Sequence, residues 1–344
     1  MDKKNLRSRL YLLVLMIAIF AVWKYRQDKG LATVYVKGIT MGVVQYNITY
    51  RDQQGRDFKP AIDSLLIDFN QSLSTYIPDS EISVFNRESV VEFELPYFPD
   101  VLEASAEVYE KSGGAFDPTI GQLIDAWGFG SGDAIDPDSV QVDSLLELVG
   151  FDKIQFNNQR VITPIDGIAL NFSAIAKGQA IDVVAEFLEL QGIENYLVEI
   201  GTEVRCLGKS PRDLPWVVGI EKPDEAVVGQ VYDRVYLENG ALAGSGNYRN
   251  FRVSNGRKVA HTIDPRTGYP KMQTLLGATI WAPNCMLADA YATAAMVLGL
   301  EEARQMVLDD PQLEAYFIFA DETGNLATYV SPGMEEKLAE PVKP

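Results

Sequence analysis

Apolar and polar positions alternate from Thr33 to Ile39 and again from Gly42 to Tyr50, the period of two expected of strands covered on one face. The period then lengthens: Ile62, Leu65, Leu66, Phe69 and Leu73 recur at helical spacing. A second helix is expected from Pro99 to Ser112, stopped by Gly113 and Gly114, and a third from Val142 to Leu148 before Gly150. An amphipathic helix follows from Asn171 to Leu190, with Asn171 and Ser173 as candidate caps. Beyond it, β-branched and aromatic runs predict strands at Tyr196–Ile200, Val204–Leu207, Trp216–Ile220, Val231–Leu237, Leu276–Trp281 and Tyr316–Ala320. Late helices are expected at Met286–Leu298 and Leu300–Val307. Strands segregated from helices in this way indicate an α+β fold of mixed, largely antiparallel sheets with flanking helices. No repeat, low-complexity stretch or linker interrupts 29–344, which reads as one domain.

The first 28 residues are different. An unbroken apolar run from Leu10 to Trp23 is preceded by Lys3, Lys4, Arg7 and Arg9 and followed by Lys24, Arg26 and Lys29. This is the pattern of an N-terminal membrane anchor or signal segment, with a buried core helix as the plainer alternative. No A-x-A cleavage site follows, which favours an uncleaved anchor over a removed signal peptide. No cysteine lies nearby to take a lipid. The basic start would remain inside and put the rest of the chain on the extracytoplasmic side.

Charge and cysteine usage narrow the chemistry. Asp and Glu number 48 against 30 Lys and Arg, so no basic stripe is available for nucleic acid, and a polyanionic ligand would need a metal or locally placed cations. Cys206 and Cys285 are the two cysteines, without zinc spacing; two unrelated buried thiols are expected rather than a bridge.

His261 is the single histidine, in V-A-H-T-I-D-P-R-T-G. It could serve as a general base near neutral pH or as a hydrogen-bonded structural residue. In L-A-D-A-Y-A-T-A-A-M, Asp289 and Thr293 lie four apart on a small, apolar helix. Their oxygens would share one face and suit magnesium, unless the aspartate is a cap and the threonine bonds back to its helix. In L-N-F-S-A-I-A-K-G-Q-A-I-D, a helix start with Lys177 one turn in could seat a phosphate or could be ordinary capping. Three further strings mix aromatics, glycines, hydroxyls and acids as a site for a planar polar ligand would: S-T-Y-I-P-D-S-E-I-S at 74–83, G-G-A-F-D-P-T-I-G at 113–121 and A-G-S-G-N-Y-R-N-F at 243–251.

Taken in order with T-M-G at 40–42, these strings resemble the ApbE family of FAD:protein FMN transferases, over nearly everything from Thr40 to Leu300. The resemblance implies that Met41, Tyr76, Ala115, Phe116, Asp117, Asn171, Lys177 and Ile263 contact FAD. It implies magnesium ligands in Asp289, Thr293 and the carbonyl of Ala174, with the Ala292 carbonyl as a further candidate, and His261 as base. Two departures stand out: Asn171 replaces an aspartate, so it cannot act as a charged ligand or base. Thr202, in E-I-G-T-E-V-R-C-L-G, replaces a usual second glycine, which would narrow or stiffen that turn.

The reaction implied is transfer of FMN from FAD to a protein threonine with release of AMP, on the extracytoplasmic face of a bacterial inner membrane, to subunits of membrane redox complexes. Hydrolysis of FAD to FMN and AMP, or flavin carriage without chemistry, are the alternatives that the same site allows.

Overall fold

The computed structural model describes residues 11, 13–20, 22, 30–130, 132, 134–223, 229–246, 251–254, 257–271 and 274–338. The basic residues expected to flank the N-terminal apolar run, and Asn247, Tyr248, Arg249 and Asn250 of the third string, lie outside them. Residues 13–20 are helical with exposed side chains. Among the described residues, no helix is long and apolar enough to cross a membrane.

The chain opens with the hairpin β1 (Ala32–Thr40) and β2 (Val44–Asp52), then α1 (Lys59–Leu73), α2 (Glu81–Glu88), β3 (Val90–Glu92) and α3 (Tyr97–Lys111). Short helices α4 (Gly121–Ala126) and α5 (Ser139–Leu146) and short strands β4 (Gln155–Phe156) and β5 (Arg160–Ile162) lead to α6 (Ala176–Leu190). There follow β6 (Tyr196–Ile200), β7 (Glu203–Leu207), β8 (Trp216–Glu221), β9 (Val231–Leu237), β10 (Asn239–Gly246), β11 (Phe251–Ser254), β12 (Arg257–Ala260) and β13 (Leu275–Ala282). The chain then forms α7 (Cys285–Leu298), α8 (Leu300–Asp309), β14 (Glu314–Ala320), β15 (Leu326–Val330) and α9 (Pro332–Leu338).

Eight strands make the main sheet in the order β1-β2-β6-β7-β10-β13-β14-β15, and every neighbouring pair is antiparallel. This is the expected α+β arrangement. Both faces are covered. Tyr46, Ile48 and Tyr50 of β2, Ala241 and Ala243 of β10, Ile280 of β13 and Phe317 of β14 face the helices in the main core. Val204, Cys206, Leu242, Tyr316 and Ile318 alternate with residues of that set and face a second core under the β8–β9 hairpin and α9, with Trp216, Val235 and Met334. A strand buried on both faces reads as an apolar run rather than a strict alternation. Cys206 and Cys285 are free, buried and in different cores, as two unrelated thiols should be.

The largest departure from the sequence reading is the start of α6. Asn171 and Ser173 do not cap it; the helix begins at Ala176, with Ile175 at the N-cap. The Asn171 N–H donates to the Pro118 carbonyl (2.8 Å), and its side-chain oxygen takes the Ser173 N–H (2.9 Å), so this stretch is a turn tied to the 113–121 string.

Candidate active site

Helices α6 and α7 meet at their amino ends. A Cβ added to Gly178 would stand 2.2 Å from the Cys285 carbonyl oxygen, so the backbones touch as only glycine permits. The first N–H groups of any helix lack partners within it, and here each helix supplies an aspartate to the other. Asp289 Oδ2 of α7 accepts the Gly178 N–H (3.1 Å). Asp182 of α6 accepts the N–H groups of Cys285 (2.9 Å) and Met286 (2.8 Å) and pairs with Arg205 (2.9 Å). Asp289 is therefore a capping residue, though of the neighbouring helix; Asn284 caps its own.

The other oxygen of Asp289 faces charge. Lys177 Nζ lies 3.3 Å from Asp289 Oδ1 and 2.6 Å from Glu203 Oε1, with both carboxylates buried. Burial alone would lower the Lys177 pKa, but Asp289 and Glu203 outweigh it and hold the ammonium above its ordinary value. Burial pushes the Asp289 carboxyl up to about 6, against the pull of Lys177 and with the push of Glu203. Glu203 opens β7 after a two-residue turn in which Ile200 pairs with Glu203. Only Gly201 of that turn has positive φ (+69°), the pattern of a type II′ hairpin, which needs no second glycine. Thr202 thus enters without backbone strain, and its hydroxyl donates to Glu203 Oε1 (3.1 Å).

These groups open onto a cavity of about 1720 Å³ that runs on beneath the β8–β9 hairpin. Lys177, Asp289 and Thr293 line it together with Ala174 and Asn171. Ala115, Phe116 and Asp117 form another part of the wall, His261 and Ile263 a third, and Tyr76 stands at the rim, 72% exposed. Met41 and Ala292 do not line it. Met41 sits in the β1–β2 turn with its side chain against the main core; Ala292 is on the core side of α7, next to but turned away from Thr293.

The walls are rigidly made. Asp117 accepts the Thr119 N–H (2.8 Å) and hydroxyl (2.6 Å) and the Phe151 N–H (3.2 Å); burial nevertheless raises its pKa. The loop after His261 is pinned by buried Asp264, which accepts the Arg266 N–H (3.0 Å), Nε (2.9 Å) and Nη2 (3.0 Å). Burial would raise the Asp264 pKa, but these Arg266 bonds outweigh it and lower it. Phe129 meets the His261 ring edge to face at 6.4 Å between centroids.

Asp289, Thr293 and the Ala174 carbonyl are oxygen donors, the type magnesium takes. No group of three or more His, Cys, Asp or Glu placed to hold a metal ion occurs among the described residues. Glu203, Asp182 and Asp264 were not singled out in the sequence. The signal for Glu203 was present: in β7 the charges Glu203 and Arg205 alternate with apolar Val204 and Cys206, so both face α6, where Lys177 and Asp182 meet them.

The profile of the ApbE family matches residues 41–317. The FAD:protein FMN transferase of Vibrio cholerae is 36% identical over 310 residues, 86% of this chain and 90% of that protein. That of Haemophilus influenzae is 33% identical over 86% of this chain and 89% of its own length. Among solved structures, the flavin transferase ApbE from Vibrio cholerae superposes with a TM-score of 0.80 at 31% identity, covering 90% of this chain and 100% of the other. The apo flavinyl transferase ApbE of Pseudomonas stutzeri gives 0.79 at 28% identity, covering 91% and 99%.

Proposed function

The chain belongs to the ApbE family, and from that premise we propose that it is an FAD:protein FMN transferase, which splits FAD and joins the FMN half to a threonine of an acceptor protein. The observation that carries this reading is the convergence of Lys177, Asp289, Thr293 and His261 on one cavity large enough for a dinucleotide. The acceptor hydroxyl attacks the flavin-side phosphorus; a new O–P bond forms, the bond to the bridging oxygen breaks, and AMP leaves with that oxygen. The hydroxyl proton passes to His261, whose place on a pinned loop suits a general base. Lys177 sets its ammonium against the charge that grows on the pyrophosphate, and Asn171 and Tyr76 orient the nucleotide by hydrogen bonding and stacking. Magnesium would be held by Asp289, Thr293 and the Ala174 carbonyl, and when bound supplies neutralisation of phosphoryl oxygens.

The exposed apolar helix at residues 13–20 supports an export signal or anchor ahead of the catalytic domain. We place that domain on the extracytoplasmic face of the inner membrane, with membrane redox subunits as acceptors.

The test is incubation of the chain with FAD, magnesium and a candidate acceptor, followed by in-gel flavin fluorescence and AMP assay. A labelled acceptor with equal AMP supports transfer; free FMN and AMP without label means hydrolysis, and neither means flavin carriage. Asp289→Ala is expected to abolish AMP release, and His261→Ala to slow it by about 10²–10⁴-fold. Parental rates in either variant would remove that residue's role.

A further inference from the structure

Lys177 has two anionic partners, and they are not equivalent. The Glu203 carboxylate, 2% exposed, takes the shorter contact at 2.6 Å; Asp289 stands at 3.3 Å. Asp289 has its second oxygen committed to the Gly178 N–H, so Oδ1 is the oxygen left for a cation. A lysine paired closely with that oxygen would occupy the place of the ion as a built-in competitor. Glu203 is held for the opposite purpose: the Thr202 N–H (3.2 Å) and hydroxyl (3.1 Å) fix its carboxylate, at the end of a rigid two-residue turn.

We propose that Glu203 is a positioning residue that holds Lys177 at the longer, weaker contact with Asp289, so that a divalent cation has only a 3.3 Å ion pair to displace while the ammonium stays in the cavity for the pyrophosphate. This rests on the flavin-transfer reading and deepens it. Lys177 then acts on the substrate and not as a counter-ion to the metal site.

The experiment is a double-variant cycle read by Mn²⁺ binding, with free ion counted by electron paramagnetic resonance in the absence of FAD. In Glu203→Gln, Lys177 has only Asp289 to pair with, and Mn²⁺ should bind about tenfold more weakly, the size of one charge-assisted hydrogen bond. Lys177→Met should bind Mn²⁺ at least as tightly as the parent, and adding Glu203→Gln to it should change affinity less than twofold. An equal tenfold loss in both backgrounds would overturn the inference, since Glu203 would then act on the ion directly through its charge. A parent chain that binds no Mn²⁺, or binds it unchanged after Asp289→Ala, would overturn it as well. AMP release from FAD by the parent tests the flavin-transfer reading separately, so the two can fail independently.

Discussion

Gly178→Ala perturbs the one place where two helices touch backbone to backbone. The new Cβ would stand 2.2 Å from the Cys285 oxygen, 2.6 Å from its carbonyl carbon and 2.8 Å from the Met286 Cα, where ordinary contact begins at 3.4 Å. None of these atoms can rotate away, so the helices must part by roughly 1 Å to relieve the overlap. Overpacking of this kind costs about 1–3 kcal/mol, and a clash with backbone belongs at the upper end. Alanine in place of glycine in a helix returns at most about 1 kcal/mol. The net expectation is a loss of about 2 kcal/mol, or a melting temperature lower by about 4 °C. The same displacement pulls Asp289 from the Gly178 N–H and from Lys177, and misplacement of reacting groups by about 1 Å can slow turnover about 10²-fold. Thermal melting read by circular dichroism and AMP release from FAD measure the two effects. A variant that melts at or above the parent temperature with unchanged turnover would refute the reasoning, because propensity would then dominate over a contact that was not there.

Three other outcomes are expected. Asp182→Ala leaves Arg205 with Glu189 as its remaining close partner (3.1 Å) and two N–H groups of α7 unmet, and at about 1–3 kcal/mol for each unmet group should cost about 2–5 kcal/mol in urea unfolding. Asp264, whose folded pKa is lowered, contributes stability that is complete above the unfolded value of about 3.9 and is lost as pH falls through the folded value. The stability gap between parent and Asp264→Asn should accordingly be full at neutral pH and close in strong acid, measured by urea unfolding across that range. Burial pushes the Cys206 thiol up to about 12 and raises Cys285 as well, so a thiol reagent should modify neither in the native chain and both after denaturation.

Element types and the members of the site were legible because each left a local mark. The Asp289 and Thr293 spacing, the lysine near a helix start and the single histidine stand in the text, and the fold brings all four to one cavity. What could not be read was set by distant partners. Asn171 looks like a cap and so points to a start of α6 that is too early, and the Pro118 carbonyl that holds it in a turn lies 53 residues earlier by number. β10 leaves little strand signal, since Ala241, Ala243 and Gly244 have weak strand propensity; their smallness lets the alanine-rich α7 lie on the sheet. Glu203 was legible only in part: its alternation with Val204 showed a face, but the lysine on that face came from another helix.

The exchange of aspartates between α6 and α7 means that neither helix can present its share of the cavity alone. With α7 undocked, the Gly178 N–H of α6 loses Asp289, while the Cys285 and Met286 N–H groups of α7 lose Asp182, so opening exposes three N–H groups and two carboxylates to water together. Anything that binds between the two helix ends must therefore also favour their docking, and substrate should protect these amides from hydrogen exchange well beyond the atoms it touches.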